Sequence, residues 1–488
     1  MTPRRTARGP LALLAAAEFM LTLDLSIVNV ALPAIRDELG FTEGSLQWVV
    51  NGYALAFAGF LLLGGRAGDL FGGRPVFLAA LGGFSLAGLA CGLAGTPWTL
   101  VAARAVQGLS AGLLAPTTLG ILASTYRTPA ARNRALAVWT AVAIGGGAAG
   151  GLLGGLLTSV LSWRWIFLVN VPIGAVLLAA AARRLPRDVE PRTDRPGLDV
   201  AGAIAVTCGL VALVWGLIRS AAAGWGAGEV IGAFALAAVL LAGFVLYEAR
   251  LAAAPLVPLA IFRARPVWAG NLLALLGFLP VPATWFFLTI YLQRELGLSP
   301  PRTGLSFLPL SLAVVGGAQA GFRLIRRLDA RALFAAGGLT AAAGLAGLAR
   351  LSPGTGLPFV IVSATVAMLG GGLMFAPVTV AATSVAAHQE GLAGGLLNTA
   401  RQIGGALGLA VLETIAAARA AGPAAGAAER AAGTAGYTAA FATGAAVFLV
   451  TAVAGAIALP ARLGRTGHEG RRPGRQGRRH RGRWAPAR

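Results

Sequence analysis

The sequence has no lysine: all 40 residues counted as Lys or Arg are Arg. That absence removes the phosphate-binding lysine of P-loop ATPases, the strand lysine of kinases and the Schiff-base lysine of pyridoxal enzymes. Histidine is nearly missing too, with only His388, His468 and His480, and the two cysteines, Cys91 and Cys208, lie in separate apolar segments. Neither a zinc site nor a histidine-box oxidase can be assembled from that inventory. The two thiols are expected to be core residues. Charge is scarce as well. Charged residues make up 12% of the chain, against roughly a quarter in soluble domains. A chain of 488 residues folded in water could not cover its surface with so few.

What is present is apolar. Hydrophobic residues form 57% of the sequence and the mean hydropathy is +0.75. A membrane-crossing helix needs about 20 mostly apolar residues to span roughly 30 Å of hydrocarbon. That ruler predicts fourteen spans: 11–34, 46–64, 75–94, 98–122, 135–158, 165–182, 199–218, 229–248, 267–292, 303–324, 331–350, 357–380, 391–416 and 436–460. Arg4, Arg5 and Arg8 before an apolar run fit the start of a signal peptide, but nothing after the run resembles a secreted domain. The run therefore reads as an uncleaved first helix.

Arginine alternates between loops. With the N-terminus inside, one side collects Arg66, Arg74, Arg127, Arg132, Arg134, Arg183, Arg184, Arg250, Arg263, Arg323 and Arg327, while the other holds scattered ones such as Arg36, Arg164 and Arg350. Positive loops mark the cytoplasmic side, so both termini are expected in the cytoplasm. The polar stretch 183–198 divides the chain. The predicted organisation is a cytoplasmic N-tail (1–10), a six-helix half (11–182), a cytoplasmic loop (183–198), two inserted helices (199–248), a second six-helix half (249–460) and an Arg-rich cytoplasmic tail (461–488). Transporters built from repeated halves place their site between them near mid-membrane.

An ionisable group at bilayer depth costs roughly 2.5–3.5 kcal/mol on insertion scales and needs a partner or a task. Helix one holds Glu18 and Asp24, helix four Arg104, and helix thirteen Arg401 and Glu413. Glu18 and Asp24 lie about 120° apart on a helical wheel, so they do not form a carboxylate pair on one face. A carboxylate that alternates between an apolar setting and an Arg partner takes up and releases a proton. Asp24 suits that task; the alternative is a fixed ion pair with Arg104, an expensive way to join two helices. Gln107 shares a helix face with Arg104, as Asn398 and Gln402 do with Arg401. Each set reads as a cavity wall or as interhelical hydrogen bonding. Glu18 and Glu413 are further cavity candidates.

The run GGGAAGGLLGG (145–155) imitates a phosphate loop but lies inside an apolar helix and has no Lys. Gly146, Gly150 and Gly154 instead give a flat face for close packing or a rocking hinge. Trp285, Phe286, Phe287 and Tyr291 cluster on helix nine, where aromatics stack on a flat or cationic substrate or form an interfacial belt. Helices nine to twelve have no interior carboxylate, which favours neutral or monocationic lipophilic compounds over dications.

Several of these segments resemble the major facilitator superfamily, and within it the fourteen-helix drug:proton antiporters of the QacA/EmrB type. The resemblance rests on LDLSIVNVALP (23–33), GRAGDLFGGR (65–74), RAVQGLSAG (104–112), WRWIFLVNVPIG (163–174) and LLNTARQIGGALGLA (396–410), in order and at the corresponding helices. It implies an all-α polytopic fold of two six-helix halves plus two inserted helices. It also implies proton coupling through Asp24 and Arg104, and a latch between the halves at Asp69. Two positions depart from the pattern. The Gly-Pro pair of the antiporter helix five is Gly150–Gly151 here, and Leu70 replaces a common basic residue, leaving Arg74 as the main partner for Asp69.

The expected activity is export of small lipophilic drugs, antibiotics or metabolites against inward protons by alternating access. No cofactor, no ATPase domain within the chain and no enzymatic activity are expected. The partners are small lipophilic substrates, protons and the lipid bilayer of a bacterial cytoplasmic membrane. Alternatives are a narrow-specificity metabolite transporter, or a sensor or scaffold acting through the Arg-rich tail. That tail holds ten Arg against Glu469 and reads as a solvated segment rather than a nucleic-acid binder.

Overall fold

A computed structural model of the chain describes residues 8–126, 128–185, 198–252, 255–325, 327–352, 354–384, 390–420 and 427–460. His388, His468, His480 and the Arg-rich tail lie outside the described residues. Fourteen helices are long and apolar enough to cross a membrane: α1 Gly9–Leu39, α2 Gly44–Gly68, α3 Gly73–Gly92, α4 Pro97–Thr125, α5 Arg134–Val160, α6 Trp165–Arg184, α7 Val200–Ser220, α8 Gly228–Arg250, α9 Arg265–Glu295, α10 Pro300–Leu324, α11 Ala330–Leu348, α12 Leu357–Ala382, α13 Leu392–Ala420 and α14 Thr434–Ala458. Every predicted span overlaps one of them. Even α11, with 19 residues, is about 28 Å long at 1.5 Å per residue. No strand occurs among the described residues.

Local chemistry sets the helix ends. Thr96 opens α4: its hydroxyl accepts from the Thr99 N–H at 3.2 Å, and the Thr99 hydroxyl accepts from the Thr96 N–H at 3.1 Å. Pro97 follows at the first helical position, where a missing N–H costs nothing. Asp199 caps α7 through the Gly202 N–H at 2.7 Å. The helix of α2 runs on to Phe71, and the chain turns into α3 on Gly72, whose φ of 91° suits glycine. Within α9 the helix restarts at Pro280 and ends in a π-helical turn, Tyr291–Glu295.

The helices form two six-helix halves, α1–α6 and α9–α14, with α7 and α8 packed outside them. The inserted pair docks through α7. Thr207 on α7 lies against Gly59 on α2, and Thr414 on α13 donates to the Leu217 carbonyl at 2.9 Å. Trp215 sits within 6.2 Å of Trp48 and 6.4 Å of Trp98, ring centre to ring centre. Most of α8 is exposed, as are apolar side chains on the outer faces of other helices, such as Leu312, Val362 and Val453. A surface of that kind is what lipid tails cover. Cys91 is buried as expected, but Cys208 is exposed on the outer face of α7. The expectation of two core thiols fails because apolarity marks lipid-facing and core positions alike.

A core of α1–α6 residues, including Leu14, Met20, Phe57, Phe77 and Leu114, closes that half around itself. A larger core joins the halves and brings Ile27, Val30 and Ile35 of α1 together with Phe286, Phe287 and Leu292 of α9 and Phe307 of α10. Polar contacts reinforce that end. Gln293 donates to the Val30 carbonyl at 2.8 Å and Arg294 lies 3.4 Å from Asp37.

Candidate functional site

Close helix packing carries Asp24 and Arg104 to each other. Gly108, one turn beyond Arg104 on α4, lies against the Tyr53 carbonyl of α2, and Gly112 against the Phe57 carbonyl. Any Cβ there would collide with backbone, so glycine lets α4 approach until the Arg104 side chain reaches across the bundle. On α1, Gly146, Gly150 and Gly154 of α5 lie against Phe19, Ser26 and Ile27 respectively. The Ser26 hydroxyl donates to the Gly147 carbonyl at 2.7 Å. The glycine face is thus a packing face that holds α1 in register.

At the centre, the Asp24 carboxylate receives three side-chain donors. Arg104 Nη1 is 2.6 Å from Oδ2, while Gln107 Nε2 and Asn170 Nδ2 each reach Oδ1 at 2.9 Å. Arg104 Nη1 also donates to Gln107 Oε1 at 2.8 Å, and its Nε to the Val49 carbonyl at 3.1 Å. Its guanidinium lies 4.3 Å from the Tyr53 ring centre and 5.5 Å from that of Phe167. Asp24, Arg104 and Gln107 have no exposed surface. Four helices, α1, α2, α4 and α6, therefore converge on one charge pair. Protonating Asp24 would cancel the charge that Arg104, Gln107 and Asn170 hold, and that is how a proton would alter this packing. Cys91 points its thiol at Gln107 Oε1, 3.7 Å away.

Of the two readings of Gln107, cavity wall or interhelical hydrogen bonding, the structure displays the second, its Nε2 donating to Asp24 of α1. Sequence reasoning missed Asn170, Val49 and Tyr53. Asn170 had left a signal, as the lone amide in the apolar run WIFLVNVPIG. Tyr53 had left none. Glu18 is buried six residues before Asp24, with no hydrogen-bond partner at Oε2 among the described residues. Arg74 donates to the Ala182 carbonyl at 2.6 Å, tying the start of α3 to the end of α6. The side chain of Asp69 lies outside the described residues.

The second half contributes a cavity of about 70 Å³ among α9, α10, α11, α12 and α13. Arg401 of α13 lines it, donating to the Thr379 hydroxyl at 3.0 Å with its guanidinium carbon 3.7 Å from the Phe375 ring centre. Asn398 is exposed three residues earlier. Glu413 is buried further along α13, twelve residues and about 18 Å from Arg401. Of the helix-nine aromatics, Phe287 and Tyr291 are buried against Tyr437 and Phe441 of α14, and Phe286 is buried edge-on to Phe287. Trp285 stands edge-on to Phe307 at 4.9 Å. These rings serve the joint between helices. Among the described residues no group of three or more His, Cys, Asp or Glu comes together to hold a metal.

Comparison with known proteins agrees with this architecture. A model of the Major Facilitator Superfamily matches residues 14–409. The chain is 43% identical to the cephamycin export protein CmcT of Amycolatopsis lactamdurans over 84% of this chain and 85% of that protein. It is 40% identical to the puromycin resistance protein pur8 of Streptomyces alboniger, over 83% of this chain and 81% of that protein. Among solved structures, the human organic anion transporter MFSD10 (TETRAN) superposes with a TM-score of 0.56 at 17% identity. That match covers 93% of this chain and 100% of the other, a likeness of fold alone.

Proposed function

This chain belongs to the Major Facilitator Superfamily, and we propose that within it the protein is a proton-driven exporter of small lipophilic compounds, antibiotics among them. The observation that carries the proton step is the Asp24 cluster: a buried carboxylate with three side-chain donors from two other helices. Binding a proton there removes the charge that organises α1, α4 and α6, so the packing of the first half depends on whether Asp24 is charged. Substrate binding and Asp24 protonation favour opposite faces of the membrane, and the halves rock about the site between them. No cofactor enters, and the proton gradient is the driving force.

The relatives supply the substrate class: their names concern export of, or resistance to, antibiotics. The arginine distribution supports a bacterial cytoplasmic membrane with both termini in the cytoplasm. Export confined to one compound is a second reading, favoured because each relative's name carries a single antibiotic.

The test is efflux from proteoliposomes holding the full-length protein, with an imposed pH gradient and two cargoes, ethidium as a lipophilic monocation and chloramphenicol as a neutral antibiotic. Gradient-dependent efflux of either, collapsed by a protonophore, is expected. A rate indifferent to the gradient overturns proton coupling. A resistance screen in a pump-deficient bacterium then separates broad from narrow specificity.

A further inference from the structure

Arg401 is a cation in an apolar cavity that the Asp24 cluster neither uses nor neutralises. Phe278, Val281, Val314, Met368, Met374 and Phe375 are among its neighbours in that wall. Among the described residues no carboxylate lies within ion-pair distance of it. Among the described residues its side chain bonds to one hydroxyl, that of Thr379, and lies over the Phe375 ring. A guanidinium carries five N–H donors in a fixed fork, so most of its bonding capacity is left over by the one hydrogen bond to Thr379. The contrast with Arg104 is sharp, since that guanidinium has a carboxylate, a side-chain amide oxygen and a backbone carbonyl. A half-buried cation left without a counter-charge is costly, and a ring face with one hydroxyl offsets only part of that cost.

We propose that the Arg401 cavity is a subsite for the carboxylate of lipophilic monoanionic substrates, which adds acidic compounds to the neutral and monocationic ones expected from the sequence. The inference rests on the exporter reading and names a substrate class for it. A carboxylate offers two parallel acceptors that match the guanidinium fork and supplies the missing charge. Depth agrees. Arg401 is nine residues beyond Leu392, the start of α13, so it lies about 14 Å along the helix, well inside the membrane-crossing segment. A cavity of about 70 Å³ has room for an acidic group and a small apolar neighbour, since about 10–15 Å³ on the same measure holds one water. The remainder of the molecule would lie outside it. Met368 and Met374, unbranched and adaptable, let the apolar wall fit varied substituents.

The experiment compares N-dansyl-phenylalanine with its methyl ester, an anion and a neutral molecule of the same skeleton. Both are titrated by fluorescence into the purified full-length protein. The wild type is expected to bind the acid at least tenfold more tightly than the ester. Arg401→Gln is expected to erase that preference while the ester stays within about twofold. Should Arg401→Gln not fold, Arg401→Lys, which keeps charge without the fork, should weaken the acid severalfold and leave the ester alone. Equal affinity of the wild type for both probes, or equal loss of both in the variants, overturns the inference. Gradient-driven efflux of ethidium or chloramphenicol without any acid preference sinks this inference and leaves the exporter standing. Absence of all gradient-driven efflux sinks the exporter reading itself.

Discussion

Asn170 of α6 donates to Asp24 Oδ1 at 2.9 Å, the same oxygen and the same distance as Gln107 of α4. Helix six is thereby tied to the helix-one carboxylate by a single amide, and the Asn170 Oδ1 atom takes no partner among the described residues. A hydrogen bond to a charged group is worth about 1.5–3 kcal/mol, close to that of a tenfold or larger change in an equilibrium.

Asn170→Ala should therefore lower gradient-driven efflux by about tenfold or more, with the protein still in the membrane. Asn170→Asp should be worse, because it sets a second carboxylate against the first. Initial efflux rates of the two variants at matched expression check this; an Asn170→Asp variant as active as Asn170→Ala contradicts it.

Asp24→Asn keeps the shape and one acceptor oxygen but abolishes the titrating charge. Gradient-driven efflux should disappear while expression and substrate binding persist. The measurement is efflux at matched protein content in liposomes. Wild-type rates in this variant remove Asp24 from the coupling mechanism.

Gly304 of α10 lies against the Gly151 carbonyl of α5, and Gly155 against the Pro300 carbonyl. Here the halves touch backbone to backbone at the joined end. Gly304→Ala forces helices apart, and overpacking of that kind costs about 1–3 kcal/mol. A cysteine placed at Gln293, with Cys208 replaced by Ser, should label faster in Gly304→Ala than in its parent. Gly151→Ala is the control: its Cβ would meet Phe307 and Gly304 no closer than 3.5 Å. Identical labelling in all three would show that this contact does not hold the halves.

Glu38 at the end of α1 accepts from Trp163 Nε1 and from Arg164 Nη2, both at 2.8 Å. Arg164 also holds the Ala94 and Gly92 carbonyls, at 2.7 and 3.2 Å. Glu38→Ala leaves Arg164 partly satisfied but strands the buried Trp163 N–H, at a cost of about 1–3 kcal/mol. The melting temperature in detergent should fall by a few degrees for Glu38→Ala and by less for Glu38→Gln, which keeps an acceptor. Equal melting temperatures for Glu38→Ala and wild type would refute it.

Helix number and the meeting of Asp24 with Arg104 were legible in the sequence. A polar group in a long apolar run announces itself, because insertion into lipid makes any uncompensated charge costly. The same logic pointed to Arg401. Lipid-facing and core positions were not separable, and so Cys208 was misplaced: hydrocarbon outside and hydrocarbon inside select the same side chains. The aromatic cluster of helix nine was ambiguous for the same reason, and the structure buries two of its rings, Phe287 and Tyr291, against α14. The substitution of Gly151 for a helix-five proline was visible, but its consequence was not. The glycine lies where α5 meets Gly304 of the opposite half, a contact between residues 153 positions apart in the chain.

By itself the sequence determined that this protein crosses the membrane fourteen times without lysine chemistry. Apolar length and the energy of burying charge are local quantities that any window of residues reports. Tertiary structure alone decided which charges are neutralised. Arg104 is satisfied by three neighbouring helices, whereas Arg401 faces a cavity with a hydroxyl and a ring. That difference arises from distances between segments far apart in the chain, fixed by how closely glycine lets helices pack.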